Sequence, residues 1–199
     1  MNERLIVPIV EGHGEVAAVP ALLHRLHVET GNRGQLRVNP PIRVKASAFL
    51  RPGHADFARY LALARAKSGR RGLVLLLFDC DDGCPAEQGP ALLARALASC
   101  PDAPLLVALA YREFETWFVA AARSLSEAGF LTGTRTPPPA PESIRDAKGW
   151  LGQRMEGGYD PVRHQLDMAR AFDFDAARRV ASFDRFCRRI VTYLEGAGT

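Results

Sequence analysis

Lysine is scarce in this sequence: three in 199 residues, against 23 arginines. No apolar run approaches the roughly 18 residues that a membrane-spanning helix needs, so no membrane partner is expected. The N-terminal apolar run is six residues long and carries no cleavage-site pattern. No secretory signal is therefore expected, and the cytoplasm is the expected compartment. The four cysteines, Cys80, Cys84, Cys100 and Cys187, form no CxxC pair and no Cys/His set at zinc spacing. Small buried thiols in a reducing compartment are the plain reading. Cys80 and Cys84 flank an acidic turn, so a redox or soft-metal role is the alternative. No internal repeat is present.

The content is 47% hydrophobic and 24% charged, ordinary for a soluble globular protein. The length fits one domain, or one domain with a helical extension. The formal net charge of +4 hides its distribution. Residues 33–71 carry ten Arg/Lys against the single acid Asp56, a local +9; residues 72–134 carry three basic and eight acidic residues, a local −5. A basic stretch beside an acidic pocket suits a polyanion held while metal acts on it. GC-rich coding, which favours arginine over lysine, is the other explanation.

Strand and helix signals alternate. Residues 4–10 read as a strand, about 15–28 as a helix made awkward by Pro20, and about 42–48 as a weaker strand. A helix over 56–67, the strongest strand at 73–78, a helix over about 87–99 and a strand at 105–110 follow. This alternation predicts an α/β fold, Rossmann-like, with a mainly parallel sheet of about four strands and helices on both faces. The Thr/Pro-rich loop 132–141 predicts a boundary between an α/β domain at 1–131 and a helical C-terminal subdomain at 142–199. Helical signals there fall at about 142–155, 161–171, 173–181 and 183–194.

Two strands end in acid. Leu5 to Val10 runs into Glu11-Gly12-His13-Gly14-Glu15, and Leu73 to Phe78 into Asp79-Cys80-Asp81-Asp82-Gly83. Open α/β sheets place ligands at the carboxyl ends of their strands. If these strands are neighbours, Glu11, Glu15, Asp79 and Asp81 converge on one small volume. Crowded carboxylates repel one another without a cation. Hard oxygen donors suit Mg²⁺ or Mn²⁺. In extended backbone, residues two apart face the same way, so Asp79 and Asp81 are expected to face one ion together.

Glu11-Gly12 after the first strand, with Asp79-x-Asp81 after a later one, resembles the Toprim domain of topoisomerases, primases and the overcoming-lysogenization-defect nucleases. Ile9-Val10-Glu11-Gly12-x-Gly14-Glu15, Arg112-Glu113-Phe114-Glu115-Thr116-Trp117-Phe118 and Phe172-Asp173-Phe174-Asp175-x-x-Arg178 are similar to the Toprim-like DUF4276 family. The Toprim part covers about residues 1–120, and the family likeness most of the chain. The resemblance implies metal binding and acid–base work by Glu11, metal binding by Asp79 and Asp81, and a second acid at Glu15. It also implies an acid after the fourth strand, at Glu115 or else Glu113. Related nucleases use a lysine to offset transition-state charge, which Lys148 matches, with a surface lysine as the other reading.

No nucleophilic tyrosine is identifiable, and a primase needs parts that this chain lacks. Hydrolysis of a nucleic-acid phosphodiester by metal-activated water is the reaction that remains. The expected protein is therefore a Mg²⁺- or Mn²⁺-dependent nuclease, with Arg43, Lys45, Arg51, Arg59, Arg70 and Arg71 as phosphate contacts. The resemblance further implies the effector half of a two-part phage-defence system with an ATPase partner. The rival is a non-catalytic Toprim-like module that binds nucleic acid or regulates such an ATPase. Gly12-x-Gly14-x-x-Ala17 also fits a dinucleotide fingerprint. Glu11 and Glu15 oppose it, because both put negative charge beside a pyrophosphate. His13 is placed to touch substrate or solvent, His164 is read as structural, and Trp117, Phe118, Phe172, Phe174, Phe183 and Phe186 as core.

Overall fold

The computed structural model describes residues 3–31, 34–133 and 136–196. The first apolar run forms β1 (Glu3–Val10), and α1 (His13–Glu29) follows after a two-residue turn. Pro20 lies inside that 17-residue helix, which continues through it. β2 (Gln35–Val38) and β3 (Ile42–Arg43) both pair with β1, β2 against its first half and β3 against its last two residues. Asn39-Pro40-Pro41 separates them, and a proline has no amide to give to a ladder. The expected strand at 42–48 thus shrinks to two residues, and an unexpected one precedes it.

The chain then enters α2 (Ala46–Phe49) and α3 (Ala55–Ser68), and returns as β4 (Leu73–Asp79). After α4 (Pro85–Ser99) comes β5 (Leu105–Ala110). Every pairing is parallel, and the strand order is β2-β1-β4-β5 with β3 beside β1. The fold is α/β with a five-stranded parallel sheet, helices on both faces and further helices at the C-terminal end.

Alternation along β4 decides which helix covers which face. Leu73, Leu75 and Leu77 point to one core with α1, and Val74, Leu76 and Phe78 to a second core with α2 and α3. Both sets are buried, which is why β4 reads as an unbroken apolar run. After β5 come α5 (Glu115–Ala120), α6 (Ala122–Glu127), a 3₁₀ turn (Pro141–Ser143), α7 (Ala147–Gly152), α8 (Pro161–Ala171), α9 (Phe174–Ala177) and α10 (Ala181–Glu195).

These later helices join the α1 core. Trp117, Phe118, Phe172, Phe174, Phe183 and Phe186 are all buried in it, ring against ring, as expected of core residues. Trp117 Nε1 donates to Ser182 Oγ at 3.1 Å, satisfying the indole's polar edge. The loop 132–141 lies partly outside the described residues, at 134 and 135. No helix among the described residues is long and apolar enough to cross a membrane. The four cysteines are free thiols, with Cys80 and Cys187 buried.

Candidate active site

Because β1, β4 and β5 are parallel neighbours, their carboxyl ends lie at one edge of the sheet. Four acids approach each other there. Asp79 closes β4, Glu113 follows β5, Glu115 opens α5, and Glu15 lies in the first turn of α1. Glu15 Oε2 accepts from the backbone amides of Glu11 and Gly12, both at 3.2 Å, so the carboxylate caps its own helix. A side chain at Gly12 would strike this carboxylate. One at Gly14 would strike Gln165 and the Pro161 carbonyl, where α8 packs on α1. Packing against the Pro161 backbone therefore accounts for Gly14, whereas Gly12 meets only the end of the Glu15 side chain.

One cation sits among the acids. Lys148, on α7, places Nζ 2.9 Å from Glu113 Oε1, 3.0 Å from Glu115 Oε2 and 3.5 Å from Asp79 Oδ2. The backbone amides of Ala147 and Lys148 also donate to Glu113 Oε2, at 2.8 and 3.1 Å. Asp79 Oδ1 accepts from the Phe114 amide at 2.7 Å. Glu115 is 1% exposed, and its Oε1 accepts from the Tyr159 hydroxyl at 2.9 Å and from Gln165 Nε2 at 3.4 Å. Its Oε2 has only the Lys148 ion pair, without hydrogen-bond geometry.

Protonation follows from this crowding. Burial, with Glu115 adding repulsion against the two capping amides, pushes the Glu15 carboxyl up to about 7. Burial likewise holds Asp79 well above the usual carboxylate range, Lys148 opposing and Glu115 and Glu15 reinforcing. Burial alone would lower the Lys148 ammonium, but Glu115 and Asp79 raise it above its ordinary value. Burial and the Glu115 carboxylate push the Tyr159 phenol up, so it acts as a donor.

The other expected site residues lie apart from this knot. Asp81 is exposed and, unlike Asp79, makes no ion pair with Lys148. The strand ends at Asp79, and Asp81 takes a left-handed backbone (φ 45°), which ends the alternation. It forms an isolated bridge with Arg112, itself left-handed at φ 62°. Arg112 is held by Asp82 Oδ1 at 2.6 Å and by the Glu142 carbonyl at 2.9 Å. Glu11 is half-buried in the turn before α1, in no ion pair among the described residues, and His13 is exposed. His164 Nδ1 accepts from the Asp160 amide at 2.9 Å, a structural contact.

The basic stretch is divided. Arg43 lies opposite Val10 at the acidic edge, followed by Lys45 and Arg51, all three exposed. Arg59 pairs with Asp56 at 2.7 Å on α3. Arg70 and Arg71 precede β4 and so lie at the opposite edge, roughly 20 Å away along seven residues of strand. The basic stretch begins at Arg33, which lies outside the described residues.

Tyr159, Gln165 and the anchor Arg112 were not anticipated. Tyr159 and Gln165 are 44 and 50 positions from Glu115, and no spacing rule connects them. A cavity of about 600 Å³ lies between α4, β5 and α10, with Asp82, Glu142, Arg185 and Arg189 as its charged lining; none of the four clustered acids lines it.

The profile of the family described as "Domain of unknown function (DUF4276)" matches residues 10–191. The chain belongs to the DUF4276 family. No curated protein and no solved structure matches it. The matched span of this DUF4276 domain runs from the end of β1 to α10 and so contains all four clustered acids, Lys148 and Tyr159.

The donor chemistry of the cluster suits a hard divalent cation: four carboxyl groups face one ammonium, and Glu115 Oε2 has Lys148 Nζ, 3.0 Å away, as its charged neighbour. Among the described residues no three His, Cys, Asp or Glu side chains form a ready coordination group. Lys148 Nζ stands where Asp79, Glu113 and Glu115 converge.

Proposed function

We propose that this chain is a metal-dependent nuclease, hydrolysing phosphodiesters with Mg²⁺ or Mn²⁺ held by Asp79, Glu113 and Glu115, and with Glu11 and Glu15 beside them. The observation that carries this reading is the excess of carboxylate over ammonium at the carboxyl edge of a parallel sheet. The resemblance of Glu11-Gly12 and Asp79 to Toprim nucleases supports it. A divalent ion held there would supply Lewis-acid polarisation of a phosphoryl oxygen and activation of water near neutral pH.

The chain's own residues do the rest. Glu15, titrating near neutral pH, takes up or returns a proton. Lys148 offsets charge that develops on the phosphate. Tyr159 and Gln165 hold Glu115 in one orientation. Arg43, Lys45 and Arg51 hold the polyanion at the same edge. In the setting implied by the resemblance, this nuclease is the effector of a phage-defence system and works with an ATPase partner.

A second reading rests on Lys148, which already compensates three carboxylates. On that reading the fold is a non-catalytic nucleic-acid-binding or regulatory module, and the knot is structural. Incubation with Mn²⁺ or Mg²⁺ and labelled single- and double-stranded DNA and RNA separates the two. The nuclease reading expects cleavage that chelator abolishes and that Asp79→Asn and Glu115→Gln lose while still folded. Equal binding without cleavage by wild type and both variants supports the module.

A further inference from the structure

Lys148 occupies the one point toward which Asp79, Glu113 and Glu115 all turn an oxygen, at 3.5, 2.9 and 3.0 Å. Those are ammonium distances. A divalent ion of magnesium's size needs oxygens at about 2.0–2.1 Å, and it also repels a neighbouring ammonium. The carboxylates cannot close on a metal while Nζ stands between them. Lys148 has a way out: its side chain is 39% exposed to solvent, on a flexible four-carbon stem.

We infer that Lys148 is a resident counter-cation that a divalent metal must displace, so that the apo site is held by lysine and the loaded site by metal. The inference rests on the metal-centre reading above and adds a sequence of events to it. The empty site avoids the repulsion of bare carboxylates because Lys148 fills it. On metal entry the ammonium swings out into solvent, where an incoming phosphate meets it. Metal affinity is reduced by whatever Lys148 gains from its three partners.

Lysine's scarcity makes this directly testable. Lys45 and Lys67, the other two lysines, are both exposed and serve as internal references. Wild-type protein is acetylated with an amine-reactive ester, with and without Mn²⁺, and each lysine is followed by mass spectrometry. Displacement predicts that Mn²⁺ raises the Lys148 rate about tenfold relative to Lys45 and Lys67. An unchanged or slowed Lys148 overturns it.

Calorimetric titration of Mn²⁺ into Lys148→Met gives a second readout. Displacement predicts affinity about tenfold tighter than wild type. Equal or weaker affinity overturns displacement and leaves the metal centre standing. No uptake by either protein overturns the metal centre itself, and displacement with it. If Lys148→Met does not fold, the acetylation experiment on wild type decides alone.

Discussion

Phe114 donates its backbone amide to Asp79 Oδ1 across 2.7 Å, tying the end of β4 to the entrance of α5. Asp79 therefore has two tasks, one structural through Oδ1 and one electrostatic through Oδ2 toward Lys148. Asp79→Asn keeps an acceptor for Phe114 and removes the charge, so its stability should stay within about 1 kcal/mol of wild type. Asp79→Ala strands a partly buried amide and should lose about 1–3 kcal/mol. Urea unfolding of the two variants measures the difference; equal losses would show that the Phe114 bond contributes nothing.

Glu15 gives the fold a pH dependence. Its carboxyl titrates at about 7 in the folded chain against 4.5 when free, so the folded state binds the extra proton. This contribution is fully present below about pH 4.5 and is lost as pH rises through about 7, a fall of about 3 kcal/mol over the window. Asp79, raised by burial, acts in the same direction. Glu15→Gln keeps an oxygen for the capping amides, so its stability relative to wild type should grow between pH 5 and 8. A constant difference across that range would refute the shift.

Gly14 and Gly89 should respond unequally to alanine. A methyl at Gly14 meets Gln165 and the Pro161 carbonyl, so Gly14→Ala should cost about 1–3 kcal/mol through overpacking between α1 and α8. Gly89 lies in α4 with open space around it but directly before Pro90, whose ring crowds a Cβ on the preceding helical residue, so Gly89→Ala should change stability by less than about 1 kcal/mol. Thermal melts of both proteins check this pair.

The divided basic stretch predicts unequal roles for its two ends. Arg43→Glu/Lys45→Glu should weaken nucleic-acid binding and flatten the log–log salt slope by about 2, because both side chains lie at the acidic edge. Arg70→Glu/Arg71→Glu, at the far end of β4, should leave the slope unchanged. Salt titrations of a fluorescent oligonucleotide measure both, and equal slopes for the two variants would contradict the division.

The layered α/β fold was legible because fully buried strands write themselves as apolar runs: β4 and β5 fall within a residue of expectation. β2 and β3 were misread because they pair only with β1, are short, and are parted by prolines 40 and 41. At the carboxyl edge, Asp79 and Glu15 were expected together as acids after two strands, and Glu115 and Lys148 through the family resemblance; the four lie in one cluster. Asp81 was misplaced because its left-handed backbone ends the alternation that pairs it with Asp79. Tyr159 and Gln165 reach Glu115 through the packing of α8 on α1, a long-range contact that local pattern does not encode.

Uptake of a divalent cation by these carboxylates can be measured directly. Mn²⁺ should be titrated by calorimetry into wild type and into Asp79→Asn/Glu115→Gln at pH 8, where Glu15 is mostly ionised. A metal centre here gives saturable binding by wild type that the double variant loses while its far-ultraviolet dichroism is unchanged. Identical titrations of the two proteins, whether both bind or neither does, would contradict it.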